Sequence, residues 1–219
     1  MGPDLKIIIA DDHPLFRGAL KEALKANGNE ANIVETGDFD STKKAIGDNP
    51  EADLILLDLA MPGVTGLSGI VSVQALQPSV PIVVISATDD ALTVNRAIEL
   101  GASGFISKSA TLEEIRKAVD VVLGGGVYIP EGTDTGTEND PEISKLIKSI
   151  RTLTPQQARV LGMLAEGLLN KQIAYEIGVS EATVKAHVSA VLQKLEVDSR
   201  TQAVIRLSKI GTGQLGQLP

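Results

Sequence analysis

Apolar residues in the first 130 positions fall in short unbroken runs: LKIIIA (5–10), ANIVET (31–36), DLILLD (53–58), PIVVIS (81–86) and GFIS (104–107). Each has the length of a buried strand and is too short for a buried helix. Between the runs the apolar positions recur at three- and four-residue spacing, as Leu15, Ala19, Leu20, Ala23 and Leu24 do between Pro14 and Ala26. Further helical patterns begin near Ser41, Leu67 and Asp90, and a last one begins at Thr111, where a hydroxyl cap followed by Glu113 and Glu114 suits the exposed amides of a helix start. Five short strands alternating with five helices predict an α/β doubly wound parallel sheet covered on both faces.

The last seventy residues carry a different period. Thr154-Pro155 starts one helix and Gly167 follows its end; Asn170 starts a second that stops at Gly178; Ser180 caps a third and Ser199 a fourth. The pair 170–177 and 181–195, joined by Gly178-Val179-Ser180, has helix-turn-helix proportions. On its second helix Val184, Val188, Val191, Leu192 and Leu195 form the apolar stripe. The opposite face gathers Ala186, Ser189, Ala190 and Gln193, with Thr183 near it and Lys185 and Lys194 at its flanks. Small residues between lysines let a helix approach base edges while the ammonium groups reach phosphates. A solvated face of a helical packing domain is the plainer alternative.

Charge separates these two regions. The chain of 219 residues has a net charge of −8, which looks wrong for a nucleic-acid binder until it is divided. Residues 1–130 hold 10 basic against 18 acidic side chains, residues 131–149 hold 2 against 5, and residues 150–219 hold 8 against 5. An acidic domain (1–130), an acidic linker with a short helix marked by Ile143, Leu146, Ile147 and Ile150 (131–149), and a basic smaller all-α domain (150–219) are expected. From Glu131 to Glu142 the linker has no apolar residue, which argues against a rigid link. The absence of cysteine excludes disulfides, thiol catalysis and thiolate metal sites. No stretch approaches a membrane span, and a cytoplasmic protein is expected.

Polar residues interrupting the strand runs fall together on the expected fold. Asp11 and Asp12 follow the first strand, Asp58 ends the third, Ser86 ends the fourth and Lys108 follows the fifth. If the strand order is 2-1-3-4-5, these carboxyl ends lie at the switch point where such sheets bind ligands. Singly, Asp12 is a plausible helix cap, Ser86 a strand-end hydroxyl and Lys108 a solvated charge. Together, three converging carboxylates call for an oxygen-loving cation such as Mg²⁺. Zinc is disfavoured, since His13 and His187 are the only histidines and fall in different domains. A carboxylate beside Mg²⁺, with a lysine and a hydroxyl opposite, suits phosphoryl transfer to Asp58 itself.

The segments ADDH, LLDLAMPGVTG, VVISA and AIELGASGFISKSA resemble the receiver domain of bacterial two-component response regulators, a flavodoxin-like fold, over residues 5–128. The resemblance implies that Asp58 is the phosphoacceptor, that Asp11, Asp12, Asp58 and the backbone carbonyl of Ala60 hold Mg²⁺, and that Ser86 and Lys108 contact the phosphoryl group. It also implies that Phe105 is a switch aromatic turning inward as Ser86 moves to the phosphate. Many receivers carry a proline with a cis peptide bond after the lysine. This chain has Ser109, where a cis bond would cost roughly 2.5–4 kcal/mol.

LTPQQARVL, AEGLLNKQIA, VSEATVKAHVSAVLQKL and SRTQAV resemble the DNA-binding domain of NarL/LuxR-type response regulators over residues 151–206. That resemblance implies a backbone contact from Lys171, with Lys185, Ala186 and Ser189 at the groove, and a homodimer formed through the last helix. The function implied is promoter binding under the control of a sensor histidine kinase. A haloacid-dehalogenase-like hydrolase is the enzymatic alternative, but it needs an acid two residues after the nucleophile, where this chain has Ala60. A phosphorylation-independent DNA binder is the third. Opposite charges further suggest that the receiver docks on the DNA-binding domain and masks Lys185.

Overall fold

β-branched and leucine-rich runs form the strands, and the computed structural model places them in one parallel sheet. It describes residues 5–25, 32–64, 66–134 and 140–211. The strands are β1 (Lys6–Ala10), β2 (Asn32–Thr36), β3 (Leu54–Asp58), β4 (Ile82–Ser86) and β5 (Gly104–Ser107), in the order β2-β1-β3-β4-β5. All five residues of β3 and all five of β4 are buried. The crossover helices are α1 (Pro14–Lys25), α2 (Phe39–Asp48), α3 (Ser68–Leu76), α4 (Ala91–Glu99) and α5 (Leu112–Leu123). Ala26, the expected end of the first helix, and 135–139 of the linker lie outside the described residues.

The helix starts follow local chemistry. Asp38 and Asp90 cap α2 and α4, and Thr111 forms a reciprocal capping box with Glu114 at α5. Thr111→Ala removes one half of that box and is expected to cost about 1 kcal/mol. A urea titration should show a lower midpoint with an unchanged slope.

After the linker come α6 (Pro141–Arg151), α7 (Pro155–Ala165), α8 (Asn170–Ile177), α9 (Glu181–Lys194) and α10 (Arg200–Gly211). Thr154 and Gln157 box the start of α7, Ser180 caps α9, and Gly178 ends α8 in the left-handed conformation, with φ of 69°. That conformation carries a steric penalty for residues with a Cβ, so glycine suits the sharp turn between α8 and α9. Val160, Leu164, Ile173, Ala174 and Val184 make a small core of their own.

The domains do not stand apart as the linker composition suggests. One apolar cluster runs from Ile8, Leu57 and Val84 of the sheet through Ile70 and Val73 of α3 to Ile143 and Ile147 of α6, Leu161 of α7 and Leu207 of α10. The surface that joins them belongs to the helices, which composition of the linker cannot report. Among the described residues no helix is long and apolar enough to cross a membrane.

Candidate functional site

Parallel register brings the polar residues at the strand ends to one edge. Ala10 pairs with Leu57, Asp58 with Ile85, and Ser86 with Ser107, so the residues that follow β1, β3, β4 and β5 emerge side by side. Asp11 and Asp58 are fully buried and Asp12 is half-buried. Asp58 Oδ1 accepts from the Ala60 amide at 3.0 Å, and Asp11 Oδ1 accepts from the His13 amide at 2.7 Å.

Lys108 lies between the carboxylates. Its ammonium donates to Asp58 Oδ2 at 2.8 Å and stands 2.9 Å from Asp11 Oδ2. Burial disfavours this ammonium, but the pairing with Asp58 and Asp11 outweighs burial, so the Lys108 pKa is raised and the charge persists at neutral pH. The Lys108–Ser109 bond is trans, and the lysine reaches Asp58 without a cis peptide there. Its backbone amide is anchored on the Ser86 carbonyl at 2.8 Å.

The oxygen set fits a hard divalent ion. Ligand atoms of Asp11, Asp12, His13 and Asp58 lie within 4.8 Å of one another. Among the described residues, Asp11 Oδ2 and Asp12 Oδ1 are buried with no aligned hydrogen-bond partner, although the Lys108 ammonium and the His13 ring nitrogen stand close to them. Buried carboxylate oxygens left in that condition suit oxygen-preferring Mg²⁺. Sequence reasoning set His13 aside; the tight entry into α1 places its Nδ1 2.6 Å from Asp12 Oδ1 and 3.1 Å from Lys108 Nζ. Adjacency to Asp12 was the signal.

Ser86 is buried, and its hydroxyl accepts from the Thr88 amide at 3.0 Å. Phe105 already points into the core and is fully buried, so an inward swing is not the change open to it from this arrangement. A ring buried in the same core as Val84, Val94 and Ala97 has no solvent face to leave.

On the second domain Val184, Val191 and Leu195 are buried, while Thr183, Lys185, Ala186 and Ser189 are exposed on α9, and Lys171 is exposed on α8. Among the described residues Lys185 pairs with Glu181, at 3.5 Å along its own helix, a weak surface pair. Lys194 departs from the expectation of a groove-flanking contact. Its ammonium donates to the Thr152 carbonyl at 2.7 Å and to Gln157 Oε1 at 2.8 Å, ties that hold it to the ends of α6 and α7. The receiver does not cover Lys185, whose side chain is 66% exposed, so the expected masking of that residue is not the arrangement adopted.

Comparison with known proteins agrees with both halves. Residues 7–120 match the family described as response regulator receiver domain, and residues 151–207 match the luxR family of bacterial regulatory proteins. The chain is 41% identical to the glycerol metabolism activator of Pseudomonas putida, covering 94% of this chain and 96% of that protein. It is 32% identical to the nitrate/nitrite response regulator protein NarP of Escherichia coli K12, over 91% and 93% of the two chains. Among solved structures, RcsB from Salmonella enterica serovar Typhimurium, bound to promoter P1flhDC in the presence of phosphomimetic BeF3⁻, superposes with a TM-score of 0.52. Identity is 25%, covering 94% of this chain and 98% of that one. The matched family is one of bacterial regulatory proteins and not of enzymes, which sets aside the hydrolase alternative. The chain belongs to the NarL/LuxR-type response regulators, DNA-binding proteins that join a receiver domain to a luxR-family helix-turn-helix domain.

Proposed function

We propose that this response regulator takes a phosphoryl group on Asp58 from a sensor histidine kinase and, so modified, binds promoter DNA as a homodimer. The observation that carries the reading is the seat of Lys108, 2.8 Å from Asp58 and 2.9 Å from Asp11 at the carboxyl edge of the sheet. A buried carboxylate beside a fixed ammonium is a nucleophile with its charge compensation already in position.

In the proposed step an Asp58 carboxylate oxygen attacks phosphorus, the new O–P bond forms in line with the bond to the donor, and the donor's nitrogen or oxygen leaves with its electron pair. Lys108 offsets charge on the transferring oxygens, and the Ser86 hydroxyl is a donor to one of them. Asp11, Asp12, Asp58 and the Ala60 backbone carbonyl would hold Mg²⁺, which when bound neutralises further charge there. Receiver domains bind Mg²⁺ at an acidic pocket of this kind.

For DNA, the proposed contact face comprises Lys171, Thr183, Lys185, Ala186 and Ser189, with α10 as the dimer helix. The proposed division is a receiver at 1–130, a linker at 131–149 and the DNA-binding domain at 150–219. Incubation with acetyl phosphate and Mg²⁺ should produce one hydroxylamine-labile phosphoryl group per chain, mapped to Asp58. Its appearance should raise affinity for genomic duplex fragments and shift the protein towards a dimer. A label elsewhere, or labelled protein with unchanged affinity and mass, would refute the reading.

A further inference from the structure

A cleft of about 980 Å³ opens between the receiver and α7, and it shares no residue with the carboxylate edge or with the exposed face of α9. The receiver supplies Lys44 of α2, Val64 of the loop after β3, and Leu76 at the end of α3; the DNA-binding domain supplies Arg159 and Met163 of α7 and Leu168 just beyond it. Val64 and Leu76 pack against the large core and Met163 and Leu168 against the smaller one, each only partly buried, so an apolar strip remains on both walls. Size and mixed lining are those of a small-molecule site, which commonly spans about 300–1,000 Å³.

The charges in the cleft are unevenly matched. Three cations, Lys43, Lys44 and Arg159, line it with three acids, Asp40, Glu166 and Glu176. Lys43 takes two of the acids, at 2.8 Å from Asp40 Oδ1 and 3.0 Å from Glu166 Oε2, and thereby ties α2 to the end of α7. Lys44 and Arg159 remain, against the exposed carboxylate of Glu176. Among the described residues, Arg159 Nε is buried and has no hydrogen-bond partner. A buried donor in that condition carries its desolvation cost uncompensated, and each such group in a folded protein asks for a reason. The guanidinium presents its donors in a planar fork that matches two oxygens of a carboxylate or a phosphate.

We propose that this cleft binds a small organic anion, a carboxylate or a phosphate monoester carrying a short apolar chain. Arg159 and Lys44 hold the head group, and Val64, Leu76, Met163 and Leu168 receive the chain. With one wall from each domain, the ligand is fully held only while α2 and α7 face each other. It therefore favours that arrangement, increasingly as its concentration exceeds its Kd. The cleft gives the chain a chemical input separate from Asp58, since no residue of the carboxylate edge lines it.

The test is isothermal titration calorimetry on the full chain, without Mg²⁺, with hexanoate, hexyl phosphate, inorganic phosphate and hexanol as probes. Hexanoate or hexyl phosphate should bind at one site, at least about tenfold more tightly than hexanol, which lacks the charge, or inorganic phosphate, which lacks the chain. Arg159→Gln and Lys44→Gln, one from each wall, should each weaken that binding about tenfold. The tighter probe should raise the thermal midpoint of the wild type and not that of Arg159→Gln. It should also slow amide hydrogen exchange in α2 and α7 and leave α9 unchanged. Lys44→Gln, which alters an exposed side chain, is the deciding variant if Arg159→Gln does not fold.

Tighter binding of hexanoate would assign the head group as a carboxylate, and tighter binding of hexyl phosphate as a phosphate monoester; either supports the site. Binding of neither would overturn it. So would binding that both variants leave unchanged, which would put the anion at the carboxylate edge or on the lysines of α8 and α9. Inorganic phosphate binding as tightly as hexyl phosphate, with hexanoate not bound, would overturn the organic ligand and leave a simple anion cleft.

Discussion

Asp58→Asn should abolish labelling by acetyl phosphate, reducing incorporation to background while the protein stays folded. The carboxamide is nearly isosteric, and its oxygen can still accept from the Ala60 amide that Asp58 Oδ1 accepts from now at 3.0 Å. What is lost is the anion. A neutral amide oxygen is a far weaker nucleophile, and the pocket forfeits one of the two carboxylates that pair with Lys108. Lys108→Gln should act differently: the nucleophile remains, but its fixed counter-charge is gone, so labelling should slow by roughly the 10²- to 10³-fold typical of removing one electrostatic stabiliser. Stoichiometric labelling of the Asp58→Asn protein would move the phosphoacceptor elsewhere. A chelator should match Asp58→Asn in the wild type, and excess Mg²⁺ should reverse the chelator but not the substitution.

The sheet was legible because its signals are local. Runs such as LILLD and IVVIS are wholly apolar up to a polar last residue, and a strand buried on both faces has no other sequence signature. Helix starts were legible for the same reason, since Thr111 with Glu114 and Thr154 with Gln157 solve an amide problem within four residues. The phosphoacceptor edge followed from the topology, because parallel strands all end on one side.

Long-range ties were not legible. Arg96 reads as an ordinary solvated helix charge until the carbonyl of Ile210, 114 positions away, is brought to it. Lys194 sits on the correct flank of a helical wheel, yet its flexible stem turns back to Thr152. Linker composition argued for loose domains, whereas α3 carried the contrary signal. Its sequence SGIVSVQAL buries Gly69, Ile70, Val71, Ser72, Val73 and Ala75, leaving little of the polar face that a helix on a solvent surface needs. A helix so apolar around its circumference has a second partner besides the sheet.

DNA affinity should fall steeply with salt, and the lysines should divide by their structural ties. Each ammonium that neutralises a phosphate releases condensed counterions, adding about 0.9 to the slope of log affinity against log salt for a duplex. Lys185 is exposed and, among the described residues, held by its weak pair with Glu181, which it can exchange at little cost. Lys171 is exposed at the first turn of α8, where its side chain adds to the positive end of the helix. Lys185→Ala and Lys171→Ala should each lower the slope by about 0.9 per bound protomer and weaken binding to all duplexes alike. Lys194→Ala should leave the slope unchanged and instead destabilise the α6–α7 junction, because its charge is engaged with Thr152 and Gln157. Titrations of genomic fragments across a range of salt concentrations, run beside urea denaturation, separate the two effects. A Lys194→Ala protein with native stability and a reduced slope would return that residue to the DNA face. An unchanged slope in both Lys171→Ala and Lys185→Ala would take the α8–α9 surface out of contact with phosphate.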